Sequence, residues 1–363
     1  MKLLAALLSL FLTLPLMANT SSVWFAGQGG VYHAEFDSAR GSLSEAKLAA
    51  EFGSGSWLEF HPSEPIIYSS WRTKGASGIM ALKILGPGET EEFDQIELST
   101  GAPSHLRLNP DATFVATAHY GSEATALVSL RPDGSFGELK QIFRHEGSGP
   151  HRNQSQSRPH WAGFDSSGRM LHVTDLGSDE IWTFLVDANA ESPLTLAHKT
   201  PLPPGSGPRH LSFGADEKFA YVSDELSHHI SVFAYDRASG RFTTLQHIDA
   251  APAELDELTN NVSEIRVHPS GRFVYTGNRG HDSIAVFTID DQTGKIAVVE
   301  REPVRGVWPR NFNFSPDGKW LLVAGQYSGT VAVFAIDPET GALRYNRQII
   351  NVPSPVRVLT QSD

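Results

Sequence analysis

Apolar stretches of about four to eight residues, rich in Val, Ile, Phe and Tyr, recur along this chain between bends of Gly, Pro, Asp and Asn, a pattern that predicts strands. The pattern itself repeats. "HLSFGADEKFAYVSDELSHHISVFAYDRASGRF" from His210, "EIRVHPSGRFVYTGNRGHDSIAVFTIDDQTGKI" from Glu264 and "NFNFSPDGKWLLVAGQYSGTVAVFAIDPETGAL" from Asn311 share one grammar. A short alternating strand meets a Pro/Asp/Gly turn; an apolar strand, a polar bend and a third strand ending in Asp follow, closed by a turn such as "DQTG" or "DPETG". Weaker copies begin at Trp57, His105 and Trp161.

The two ends are complementary. "SVWFAGQGGVYHAEFDSARGSL", from Ser22, has the second and third strands of a unit without a first, whereas "NVPSPVRVLT", from Asn351, matches the opening of every other unit and leads into nothing further. Seven openings result, centred on Ser56, Ser104, His160, Arg209, Ser263, Arg310 and Ser354, at intervals of roughly 50 residues, the length of a propeller blade. The sequence therefore predicts an all-β fold, one seven-bladed β-propeller of four-stranded antiparallel blades over residues 19–363. The C-terminal strand would complete blade one, close the ring and hide a strand edge. The polar segment 145–160 reads as a long loop within this domain.

Ahead of the domain, Lys2, the apolar run "LLAALLSLFLTLPLM" and Ala18 have the form of a secretory signal peptide over residues 1–18. The expected mature chain starts at Asn19 and is exported to the periplasm or beyond. No later stretch approaches the roughly 20 apolar residues of a membrane span, so no membrane association is expected after cleavage. A formal charge of -12 and the lack of a basic run argue against a nucleic-acid partner. The chain has no Cys, which excludes disulfides and thiolate metal sites. His228 and His229 fall in a bend where neighbouring side chains diverge, and "DPETG", "RPDGS" and "SPDGK" lack the spacing of an EF-hand. No metal or other cofactor is expected, and activity should survive EDTA. "GFDSSG" (163–168) lacks the order of a nucleophile elbow.

Equivalent positions of different blades can be compared with one another. Just before the innermost strand, four blades use Ser; His160, Arg209 and Arg310 are the exceptions. The next column reads Trp57, His105, Trp161, His210, Glu264, Asn311 and Pro355. At the end of the second strand stand the pairs Gln28/Gly29, Trp71/Arg72, His119/Tyr120, Asp175/Leu176, Asp224/Glu225, Asn278/Arg279 and Gln326/Tyr327. These columns share one rim, because one antiparallel strand starts where its neighbour ends. Polar groups converging on a cavity mark a ligand site. Asp175 and Asp224 are assigned to turns, as acceptors of backbone N–H groups, and His281 and Asp282 to the bend beyond Arg279.

The motifs "SRPHW", "GPRHLSF", "VSDEL", "IRVHPSGRFVYTGNRGHDSIAVF" and "WPRNFNFSPDGKWLLVAGQ" resemble those of a known family. It is the seven-bladed lactonases, which include bacterial propeller-type 6-phosphogluconolactonases and fungal carboxy-cis,cis-muconate lactonizing enzymes. The similarity spans the mature chain and is strongest from Ser157 to Leu343. It implies a site of one His, two Arg and one Glu, which fall here on His160, Arg209, Arg279 and Glu225. Export does not suit 6-phosphogluconate metabolism, a cytoplasmic process.

Opening a lactone requires a base for the attacking water and a cationic donor for the oxyanion. Glu225 or His160 could be the base. Glu225 is favoured, because flanking guanidinium groups keep it ionised and keep His160 uncharged; His160 would then donate to the leaving oxygen. Arg209 and Arg279 would hold a substrate carboxylate or phosphate and stabilise the oxyanion. His105, His119, His210, Glu264, Asn278, Arg310, Asn311 and Gln326 complete the expected substrate-binding set. The expected partner is a small lactone or carboxylated compound, with a monomer as the default state. A muconate-type cycloisomerase and a propeller that only binds a ligand or protein are the alternatives.

Overall fold

In the computed structural model, residues 20–252 and 260–361 are described; the expected leader, residues 1–18, lies outside them. The first strand, Thr20–Asp37, bends back at Gln28–Gly30, so that Ser22 Oγ lies 3.0 Å from His33 Nε2 and the strand supplies two antiparallel runs of blade one. Its first run pairs with the C-terminal strand Arg357–Leu359, in the register Trp24↔Leu359, Phe25↔Val358 and Ala26↔Arg357. The ring thus closes as expected.

Five further sheets are each four-stranded, and the remaining blade, opening with Leu58–Phe60, is joined to blade one by the single pair Ser54↔Arg72. This is a seven-bladed propeller. The apolar residues explain why it is a ring: seven buried clusters each span two neighbouring blades, from Trp24, Leu58 and Ile67 between blades one and two to Phe25, Val333 and Val358 between seven and one. A blade is apolar on both faces and neither can stay in water.

The recurrent third turn has an inter-blade role. Tyr221 donates its hydroxyl to the Gly294 carbonyl at 3.1 Å, and Tyr275 donates to Gly341 at 2.6 Å. Both glycines have positive φ, 70° and 75°, and a Cβ at Gly341 would stand 2.6 Å from the Phe273 ring. Only Gly lets the turn of one blade sit flat against the aromatic residues of the blade before it.

Candidate active site

Pro159, Pro208 and Pro309 begin the innermost strands of blades four, five and seven, where a missing N–H is tolerated. In each, the register slips by one residue directly after the Pro, at His160, Arg209 and Arg310. A bulge at that point re-aims the side chain. The three exceptional residues of the opening column are therefore the bulged residues, turned toward the channel mouth.

The second column is settled by pairing. His119, Asp175 and Asp224 are the last ladder residues of their strands, Asn278 is the last but one of its own, and all four are fully buried. The next residue faces the mouth, giving Tyr120, Leu176, Glu225 and Arg279. In blade seven, Pro309 pairs with Gly325, so Gln326, not Tyr327, is the counterpart of Glu225 and the expected pairing there shifts by one. This alternation corrects two expected site residues. The His119 ring is held inside its blade by Thr117 Oγ1 at 2.8 Å and Thr100 Oγ1 at 3.2 Å. Asn278 Nδ2 donates to the Ala250 carbonyl at 3.0 Å and to Ser283 Oγ at 3.3 Å. Neither reaches the mouth.

Asp175 serves its turn as expected, accepting from the N–H groups of Arg158, Gly177 and Ser178. Asp224 differs. Its carboxyl accepts a hydrogen bond from Ser231, its Oδ1 is unpartnered, and burial pushes its pKa well above the ordinary carboxylate range.

Glu225 stands at the centre of the site. Its backbone N–H is fixed to the Gly207 carbonyl at 2.8 Å, beside the strand carrying Arg209. Its Oε2 lies 2.9 Å from Arg209 Nε and 2.8 Å from Arg279 Nη2. Burial would raise its pKa, but Arg279, Arg209 and Arg310 outweigh burial and hold it below the usual range. Arg279 is braced as well, donating to the carbonyls of Asn261 at 3.2 Å and Val262 at 3.0 Å. Buried Arg209 keeps Nη1 unpartnered; desolvation and the Arg279 charge push its pKa down to about 9, which leaves it cationic at neutral pH. Burial first, and Arg209 next, hold His160 well below 6.5, so its imidazole is neutral.

Aromatic rings frame these charges. Tyr120 meets His160 edge-on with centroids 5.7 Å apart, and Trp308 lies 5.4 Å from the Arg279 guanidinium while stacking on Tyr327 at 4.9 Å. Asp282 accepts from the Trp308 backbone N–H at 2.7 Å, so the bend after Arg279 fixes the backbone that carries this ring. Trp308 was not among the expected site residues, although its place next to Pro309-Arg310 was a usable signal; Tyr120 was in the right column and went unselected.

Beneath the mouth the second column fills the channel. His210 Nδ1 donates to Glu264 Oε1 at 3.1 Å, and Asn311 Nδ2 donates to Glu264 Oε2. His105 packs on Trp57 at 4.0 Å and on His210 at 5.6 Å. Of the expected residues, His160, Arg209, Glu225, Arg279 and Arg310 come together at the mouth, Gln326 lies beside them, and His105, His210, Glu264 and Asn311 form the floor. Among the described residues no cluster of three or more His, Asp or Glu is placed to hold a metal.

A family model described as "Lactonase, 7-bladed beta-propeller" matches residues 17–360. The chain belongs to this lactonase family. It is 36% identical to a 6-phosphogluconolactonase of Bacillus subtilis over 80% of this chain and 82% of that one. With a 6-phosphogluconolactonase of Formosa agariphila it shares 31% identity, covering 79% of this chain and 82% of the relative. The solved structure of a periplasmic gluconolactonase from Pseudomonas aeruginosa superposes with a TM-score of 0.88 at 30% identity, covering 94% of this chain and 99% of that one. The lactonase fold thus places its charged mouth on blades four to seven, the part of the sequence with the strongest motifs.

Proposed function

We propose that this chain is an exported lactonase that hydrolyses a small sugar-derived lactone at the mouth formed by His160, Arg209, Glu225 and Arg279. The carrying observation is one carboxylate held ionised between two guanidinium groups beside a neutral imidazole. Those are the groups ester hydrolysis calls for, a base, a cationic oxyanion partner and a hydrogen-bond donor. Membership of the lactonase family and the names of its relatives support the reaction class. The leader pattern and the likeness to the Pseudomonas aeruginosa periplasmic gluconolactonase support export.

Glu225 accepts a proton from water as the oxygen attacks the lactone carbonyl. The charge that develops on the carbonyl oxygen is met by Arg209, whose Nη1 has no partner among the described residues, and by Arg279. Collapse of the tetrahedral intermediate breaks the ring C–O bond. His160 donates a hydrogen bond to the departing oxygen, and the proton held by Glu225 neutralises it, leaving an open hydroxy acid. The test is proton release by the purified protein with five- and six-membered sugar lactones, wild type beside Glu225→Gln. Turnover lost in the variant supports the assignment. No turnover of any lactone by wild type overturns it.

A further inference from the structure

A cavity of about 1070 Å³ fills the channel from the strand ends opposite the charged mouth up to the Trp57 and His105 rings. None of His160, Arg209, Glu225 and Arg279 lines it. Its wall is aromatic. Trp24, Trp57 and Trp161 contribute three of the seven indoles of the chain, and Phe60, Phe164 and Phe213 stand at the far ends of their innermost strands. Trp161 has the setting of a platform: a Cβ at Gly163 would run into its indole, so the bare glycine lets the half-buried ring lie flat along its own strand and turn its outer face to the cavity.

Two hydrogen-bond donors in this wall lack an acceptor. His105 is 1% exposed, and its Nδ1 accepts from the Ala162 N–H at 3.4 Å, which puts the ring proton on Nε2. That Nε2 has no partner among the described residues, nor has Nε1 of Trp57, which is 4% exposed and has its ring 4.0 Å from the His105 ring. Buried N–H groups are rarely left without an acceptor, and two side by side on a cavity wall are matched by a ligand that brings one. The charge of the wall narrows the choice. Five carboxylates line the cavity against two guanidinium groups, those of Arg107 and Arg266, so an acidic ligand is repelled and the missing acceptors are neutral oxygens. Apolar ring faces, N–H donors and carboxylate acceptors together match a pyranose, whose C–H face covers an indole and whose hydroxyls both give and accept hydrogen bonds.

We propose that this end of the channel is a second, non-catalytic binding site for a neutral sugar, a monosaccharide or short oligosaccharide, stacked on Trp161 and held by the N–H groups of Trp57 Nε1 and His105 Nε2. The site is independent of the lactonase reading, since its ligand needs no lactone carbonyl and meets none of the groups that would open one.

The test is calorimetry and tryptophan fluorescence of the purified protein titrated with methyl β-glucoside, methyl α-mannoside, cellobiose, gluconate and benzamide. At least one neutral sugar should bind saturably and perturb the indole emission, whereas gluconate and benzamide should bind about tenfold more weakly or not at all. Trp57→Phe keeps the ring and removes its N–H, and should weaken that sugar about three- to tenfold, the strength of one neutral hydrogen bond. Trp161→Leu removes the platform and should weaken it about tenfold. Glu225→Gln, at the other mouth, should bind it as wild type does. Circular dichroism and melting of each variant check the fold; should Trp161→Leu fail to fold, Trp57→Phe decides alone. No saturable binding of any neutral sugar, equal or tighter binding of gluconate or benzamide, unchanged affinity in Trp57→Phe, or affinity lost in Glu225→Gln each overturn the site.

Discussion

The two mouths of the channel are built from the two ends of the same strands and could hardly differ more. The mouth at the strand ends opposite the candidate site opens into about 1070 Å³, far larger than the 300 Å³ cleft beside Arg310. Several of its charges are occupied by the protein, although Trp57 Nε1 and His105 Nε2, which line it, have no partner among the described residues. Arg107 pairs with Glu59 at 3.0 Å, Glu217 accepts from Ser166, and Asp165 accepts from the Met170 N–H. Among the described residues, the smaller mouth has three guanidinium groups around one carboxylate, with Arg209 Nη1, His160 Nδ1 and Gln326 Oε1 unpartnered. Volume shows where a ligand fits; polar groups left unsatisfied by the fold show where one is recognised.

The sharpest break in this contrast is Glu225→Gln. Loss of the base should lower kcat by about a thousandfold. Removing the one carboxylate that, among the described residues, lies between Arg209 and Arg279 should also cost up to about 3 kcal/mol of stability. Steady-state kinetics and chemical denaturation of the same preparation separate the two effects, and kcat near wild type would move the base elsewhere.

Arg279 was expected as a substrate anchor, and the geometry gives it a bracing role as well, through the Asn261 and Val262 carbonyls. Arg279→Ala should lower kcat/KM by about ten- to a hundredfold and, through two carbonyls left without donors, lower stability by about 2 kcal/mol. A stability loss with unchanged kinetics on an acidic lactone would return Arg279 to a bracing role alone.

Acid should undo the fold from its buried imidazoles. Burial holds His105, His160 and His210 well below 6.5 and His119 at about 4. The unfolded chain takes up protons below its ordinary His pKa while the folded chain does not, so stability falls as pH drops below about 6.5. His119 alone removes about 3 kcal/mol by pH 4. The depressed pKa of Glu225 acts in the same direction at lower pH, its contribution being present above the ordinary Glu range and lost as pH falls through the folded value. Melting temperature measured from pH 7 to pH 4 should fall steadily, whereas kcat should show no step near pH 6.5 from His160; a constant melting temperature would contradict the burial of neutral His.

The smallest effect is expected at the large mouth. Arg107→Ala breaks a partly exposed pair and should cost about 1 kcal/mol or less, with kcat/KM within about twofold of wild type. A larger kinetic loss would show that the two mouths communicate through the His105 and His210 layer.

Repetition in the sequence was enough to determine the ring, the blade count and its closure by the last strand, because each blade has the same two apolar faces to bury and one strand was visibly missing at one end and present at the other. Of the charged mouth, His160, Arg209 and Arg310 were legible as departures from the blade consensus, whereas Glu225 and Arg279, members of a mixed polar column, were singled out by the family resemblance. Which member of each strand-end pair faces the mouth was not legible. His119 and Asn278 are as polar as Glu225 and Arg279, but alternation turns them into the blade, and only the pairing of Pro208 with Asp224 or Pro309 with Gly325 fixes that phase. The tertiary structure alone also decided how charges are shared. Arg209, Glu225 and Arg279 belong to blades five and six, and whether Arg310 of blade seven finds a carboxylate depends on distances of a few ångströms across a closed ring, which no local pattern encodes.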